Sequence, residues 1–182
     1  MADSSAFSDN RIRQKLYFYL IVNLVGVLVM VGFGSILALK GRILIPITDF
    51  TCSISLLFTY FYLRVTKKLN VACIIAAIAF MGFLLVHLLS GGTDSSGPIW
   101  FFIFPPVAMY LLGRRLGLIF SLILAVPTML LLIVLYAVFE VAGYSTTFIL
   151  RFFISYLVET FLFYIMEVQR SEAQQKVKLL RQ

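Results

Sequence analysis

Three ionisable side chains, Asp49, His87 and Glu159, stand inside otherwise apolar stretches of this 182-residue chain, and Arg151 stands at the edge of one. A charge at the centre of a bilayer costs about 3 kcal/mol or more unless it is paired or hydrated, so such residues mark either an ion pair or a polar site. Arg151, Ser155 and Glu159 fall at i, i+4 and i+8 and share one face of a helix, while Thr48, Cys52, Ser55 and Thr59 make a polar stripe on another. Both faces are expected to point inward. The chemistry on offer is recognition: Asp49 and Glu159 supply negative charge, Arg151 with Lys40 or Arg42 positive charge, and His87 a titratable hydrogen-bond partner. A small amphipathic or anionic ligand suits such a set. The competing reading is that Arg151 neutralises Glu140 or Glu159 and that the small residues of the second helix allow close packing.

Catalytic patterns are absent from the sequence: no H-E-x-x-H, no G-x-S-x-G and no G-x-x-x-x-G-K-[ST]. His87 is the only histidine, so a haem between helices would lack a second axial ligand. Cys52 and Cys73 belong to different helices at different depths, too far apart to bridge, and read as small packing residues. No metal or other cofactor is expected.

The elements that must position these residues are membrane helices. A chain that is 62% hydrophobic and 13% charged cannot cover itself with polar surface in water. Six apolar stretches, Leu16–Leu39, Leu44–Leu63, Val71–Leu89, Ile99–Leu112, Leu116–Phe139 and Phe152–Val168, lack the alternating polar residues of barrel strands. The fold class is therefore an all-α bundle of six transmembrane helices, the fourth and sixth short for a ~30 Å hydrocarbon core. The first stretch is too long for a secretory signal and is followed by no A-x-A-like site, so it is expected to stay in the chain.

Charge sets the orientation. With a cytoplasmic N-terminus, twelve basic residues (Arg11, Arg13, Lys15, Arg64, Lys67, Lys68, Arg114, Arg115, Arg170, Lys176, Lys178 and Arg181) lie inside and three (Lys40, Arg42 and Arg151) outside. Both termini are expected in the cytoplasm. The net charge of +7 is then a topology signal and an attraction to anionic membrane lipid; nothing in it points to nucleic acid.

Three segments follow along the chain: a polar arm over 1–15, the sensory bundle over 16–168 and a connector over 169–182. The connector has no Gly or Pro and should continue helix 6 as a stalk, with Met166, Ala173, Val177 and Leu180 forming a coiled-coil seam interrupted by Arg170. Ending in mid-pattern, it reads as the link to a downstream domain. Pairing of two copies through helix 6 and this stalk is the expected assembly.

The most distinctive local sequence runs from Gly91 to Gly117. Gly91, Gly92, Gly97 and Pro98 suit a tight turn, and Trp100 an interfacial anchor. Pro105 and Pro106 should break helix 4, freeing carbonyls at Trp100 to Phe102 and opening a cavity near Trp100 and Phe101. The Gly-Gly pair, Ser96-Gly97, Trp100, the Phe104-Pro105 step and the run LLGRRLG resemble the membrane-embedded sensory modules that precede GGDEF diguanylate cyclase or histidine-kinase domains in bacteria. That resemblance implies a module in the bacterial inner membrane that passes a signal to a cytoplasmic output domain. The chain itself has no GGDEF sequence, no phosphoacceptor His in the tail and no ATP-binding glycine motif, so no catalytic activity is expected on it.

Two other classes compete. In a small transporter or carrier subunit, the broken helix 4 with Asp49 and Glu159 would line a path, but helix 1 carries no break to match the double proline, and inverted-repeat symmetry is not apparent. In a purely structural subunit, Gly26, Gly32 and Gly34 would serve as a packing face of helix 1.

Overall fold

A computed structural model describes residues 3–90, 96–134 and 144–179, and all secondary structure among them is helical. Among the described residues five helices are long and apolar enough to cross a membrane: α1 (Asp3–Leu39), α2 (Leu44–Thr66), α3 (Leu69–Leu89), α5 (Arg114–Val134) and α6 (Thr146–Leu179). Between α3 and α5 lies a 3-10 helix, Gly97–Ile103, that passes directly into the nine-residue α4, Phe104–Leu112. Residues 135–139 of the expected fifth helix, and the Gly91-Gly92 turn, lie outside the described residues.

The termini of these elements follow from local chemistry. Within the expected arm, the described residues from Asp3 onward are helical and continuous with the first span in α1. α1 ends in a left-handed glycine, Gly41 at φ 75, while Arg42 N–H bonds back to the Leu37 carbonyl at 3.1 Å. α6 begins six residues earlier than expected, at Thr146, because Ser145 caps it: its Oγ accepts the Phe148 N–H at 3.1 Å.

The double proline acts differently from a kink inside a helix. Pro105 and Pro106 sit in the first turn of α4, where a missing N–H removes no intrahelical bond, and the chain before them tightens into a 3-10 helix. One of the carbonyls expected to be free is therefore occupied, since Phe104 N–H bonds to the Phe101 carbonyl. Gly97 and Pro98 open that 3-10 helix and are buried.

The chain forms two compact units, Met1–Val86 and His87–Gln182. In the first, α1 packs closely along α2. A Cβ at Gly26 would stand 3.0 Å from Leu56 Cδ1 and one at Gly34 would stand 3.1 Å from Asp49 Cβ, whereas Gly32 faces open space. Two of the three helix-1 glycines thus form the packing face. A buried polar clasp adds direction to this contact: Tyr19 donates its hydroxyl to Thr59 Oγ1 at 2.7 Å, and Asn23 Nδ2 reaches both Thr59 Oγ1 at 3.1 Å and the Leu56 carbonyl at 3.0 Å. Lys15 Nζ donates to Asn70 Oδ1 at 2.6 Å, joining the first half of α1 to the start of α3.

In the second unit α4 and α5 make the tightest approach. A Cβ at Gly117 would lie 2.4 Å from the Met109 Cα and 2.6 Å from its N, a clash with backbone that no rotamer can relieve. Tyr156 on α6 donates its hydroxyl to the Ser121 carbonyl of α5 at 3.1 Å. The 3-10 helix and α4 run in the same direction as α6, touching it at Phe152 and Tyr156 near one end and at Arg170 near the other.

Two expected outcomes follow. Gly117→Ala should destabilise the purified protein by about 1–3 kcal/mol or more through overpacking, read as a lowered Tm in detergent, whereas Gly82→Ala, with nothing within 4 Å, should leave Tm within a degree or two. Thr59→Val, which strands the Tyr19 hydroxyl and leaves Asn23 only its bond to the Leu56 carbonyl, should lower stability by about 1–3 kcal/mol; Thr59→Ser, which keeps the hydroxyl, should recover most of it.

Candidate functional site

Six residues were expected to form the outer site, and the fold distributes them unequally. Trp100, Phe101, His87, Arg151 and Glu159 belong to the second unit; Asp49 belongs to the first. Asp49 is buried on α2 beside Gly34 of α1. His87 is buried in the last turn of α3, its carbonyl accepting the Ser90 hydroxyl at 3.2 Å.

The second unit builds its centre from aromatic rings. Phe101 of the 3-10 helix is 1% exposed and meets Phe152 edge-on at 5.6 Å between centroids, and Phe102 meets the same ring at 5.6 Å. Tyr144, Phe148, Phe152 and Tyr156 recur every four residues and stack in sequence at 5.1, 6.3 and 6.3 Å. T-shaped and offset pairs of this kind add about 0.5–1.5 kcal/mol each beyond the area they bury. Trp100 is half-buried immediately before Phe101, at the end of this cluster.

The face of α6 that meets the bundle is one residue away from the face expected. Phe152, Tyr156 and Thr160 are buried, while Arg151 and Ser155 are exposed and Glu159 is intermediate. In a membrane span the aromatic ladder, not the polar series, packs inward. The period of four at 144, 148, 152 and 156 is present in the sequence and is the signal that the polar series overshadowed.

Arg151 and Glu159 do not pair with each other. They are eight residues apart, about 12 Å along the helix axis, and Glu159 Oε2 is buried with no hydrogen-bond partner among the described residues. Glu159 is thus an acceptor without a donor on the edge of the aromatic cluster, three residues from Tyr156. The alternative pairing of Arg151 with Glu140 lies outside the described residues.

The hydroxyls of the helix-2 stripe are turned to their own backbone. Thr48 donates to the Ile45 carbonyl at 2.8 Å, Ser55 to Thr51 at 2.9 Å and Thr59 to Leu56 at 2.8 Å. Such back-bonding spends their protons within the helix, so apart from the Thr59 clasp these side chains serve α2 itself. Among the described residues no three His, Cys, Asp or Glu side chains group closely enough to hold a metal ion.

The opposite end of this unit is basic and aromatic. Arg114 and Arg115 are exposed at the start of α5, and the Arg170 guanidinium lies 4.3 Å from the centroid of the Tyr110 ring while donating to Glu167 Oε2 at 3.0 Å.

No curated protein and no solved structure matches the chain. A family model does, over residues 8–177, and it takes in every described helix from the first span through most of the stalk. Modules of this type are membrane-associated sensory units found N-terminal to GGDEF or histidine-kinase domains, the class that the Gly91–Gly117 segment resembles. The all-helical architecture, the apolar spans and this match over nearly the whole chain agree: the chain belongs to the MASE6 family of membrane sensory modules.

Proposed function

We propose that this module senses a small amphipathic or membrane-borne ligand on the outer side of the bacterial inner membrane and relays its binding through α6 to a cytoplasmic diguanylate cyclase or histidine kinase. The observation that carries the relay is the length of α6, a single unbroken helix of 34 residues. At 1.5 Å per residue it extends about 51 Å, some 20 Å more than the hydrocarbon core needs. A rigid rod of that length turns a small displacement among the helices into movement outside the membrane.

Six crossings, with both termini in the cytoplasm, are the topology we favour. Gly97–Leu112 has only 16 residues, yet seven of them are 3-10. At about 2.0 Å per residue for those and 1.5 Å for the rest, the segment laid end to end covers about 27 Å, close to a ~30 Å core. The Lys15–Asn70 bond and the Tyr110–Arg170 contact each gather basic residues at one end of their unit, as a cytoplasmic rim would require.

The ligand site we assign to the second unit's outer end, at Trp100, Phe101 and Glu159, with Arg151 available to an anionic head group. Glu159 Oε2 lacks a donor and the neighbouring rings give an apolar wall, which supports a ligand with one polar and one apolar part. Asp49 and His87 are assigned to the same sensing role in their own helices. Pairing of two copies through α6 and the stalk provides the output with its dimer, and anionic lipid holds the basic rim.

Trp100 is the sole tryptophan, so its emission reports this site directly. Titration with a ligand of the proposed type should shift or quench it saturably, and Glu159→Gln should weaken that response about tenfold; a response unchanged by Glu159→Gln would remove the carboxylate from the site. In a protein that joins this module to its output domain, one residue inserted after Ser171 should rotate the stalk by about 100° and alter output, while seven inserted residues, close to two full turns, should restore it. Indifference to the single insertion would exclude a rigid-helix relay.

A further inference from the structure

We propose that Tyr110, Arg170 and Glu167 form a latch that fastens the inner end of α4 to α6 at the membrane exit, and that its closed or open state sets the rotation of the stalk. The proposal rests on the reading of α6 as the relay and names the contact that controls it. Arg170 lies with its guanidinium 4.3 Å from the Tyr110 ring centroid and donates to Glu167 Oε2 at 3.0 Å, so its charge is engaged within its own chain. Both partners are only partly exposed, 35% for the Arg170 side chain and 22% for Glu167. Tyr110 stands in the last turn of α4, three residues before Gly113, whose φ of 84 and N–H bond to the Met109 carbonyl end the helix there.

The position of Arg170 in the sequence gives the contact its consequence. Met166, Arg170, Ala173, Val177 and Leu180 are spaced 4, 3, 4 and 3, the interval of a coiled-coil core, and Arg170 fills a slot that wants an apolar side chain. Two such arginines facing each other across a pair of stalks would repel. On Tyr110 the same side chain is taken out of the seam and aimed at the bundle, while Met166 and Ala173 are exposed. The latch therefore couples two things that are otherwise independent: where α4 ends and which face the stalk turns outward.

The contact also has a mechanical input. α4 is continuous with the 3-10 helix that carries Phe101 and Phe102 against Phe152 and Tyr156, so one short rod touches α6 at the aromatic cluster and again at the latch. α4 cannot tilt freely, because Gly117 of α5 is seated against the Met109 backbone. A displacement at the aromatic end then reaches Arg170 as a shift of Tyr110, and a cation–π contact of this strength biases a two-state equilibrium by a factor on the order of ten.

The experiment uses the whole chain in lipid nanodiscs, in a Cys52→Ala/Cys73→Ala background with nitroxides on Leu116→Cys of α5 and Ala173→Cys of α6. Labelled protein is diluted with unlabelled protein so that pulsed electron resonance reads the intramolecular distance alone. The parent and Tyr110→Phe, which keeps the ring face, should give one narrow distribution. Tyr110→Leu and, independently, Arg170→Gln should broaden or shift it; Arg170→Gln disturbs no buried packing and decides the matter if Tyr110→Leu does not fold. A parent-like distribution in either folded variant overturns the latch. Undiluted samples give a separate reading: absence of an intermolecular distance at position 173 removes stalk pairing, while the intramolecular result still judges the latch.

Discussion

Inside a bilayer a backbone amide has no water to bond to, and almost every feature of this chain is a response to that constraint. It makes the apolar runs helical and keeps α1, α2, α3 and α6 free of breaks between their caps. It also explains the behaviour of the hydroxyl residues, which bond back to carbonyls one turn earlier: Thr51 to Ile47, Ser53 to Asp49, Ser121 to Gly117 and Thr128 to Leu124. The same rule governs the two prolines at 105 and 106. They are placed at the start of α4, where an absent N–H is harmless, and the residues before them adopt a 3-10 helix that gives the Phe101 carbonyl a partner at Phe104.

Once the backbone is satisfied, the helices are held together by fit. Gly26 and Gly34 let α1 approach α2, and Gly117 lets α5 lie against the α4 backbone. Each unit then adds polar contacts that fix direction: the Tyr19–Asn23–Thr59 clasp in the first, the Tyr156–Ser121 bond and the Tyr110–Arg170 contact in the second. Such bonds contribute only about 0.6 kcal/mol on average between membrane helices, so their value lies in selecting one alignment among many apolar ones. A sensory module needs this combination, tight enough to transmit a displacement and weakly enough tied to permit one.

The second unit concentrates the contacts on which the proposed relay rests. An aromatic cluster at one end, a short rod made of a 3-10 helix and α4, and a cation held by a ring at the other end all lie along a helix about 20 Å longer than a hydrocarbon core. Glu159 stands beside the aromatic cluster with a buried oxygen that has no hydrogen-bond partner among the described residues.

The sequence by itself determined the helical class, the positions of four long spans to within a few residues at most ends, the break before α4 and the membership in a sensory family, because hydrophobic length, proline and glycine act locally. It was less able to place the start of α6, where Ser145 is the operative signal and the threonines and Arg151 behind it look unlike a membrane span. What only the tertiary structure decided is which side of each helix faces which neighbour. On α6 the polar series 151, 155 and 159 and the aromatic series 152 and 156 differ by one residue, about 100° of rotation, and both have a period that suits an inner face. In water the polar series would turn outward by default. In lipid neither face is favoured by solvent, and close packing of Phe152 and Tyr156 with Phe101 settles the choice. Arg170 illustrates the same limit: it reads in sequence as a flaw in a coiled-coil seam, and the position of Tyr110, 60 residues earlier, is what turns it into a contact.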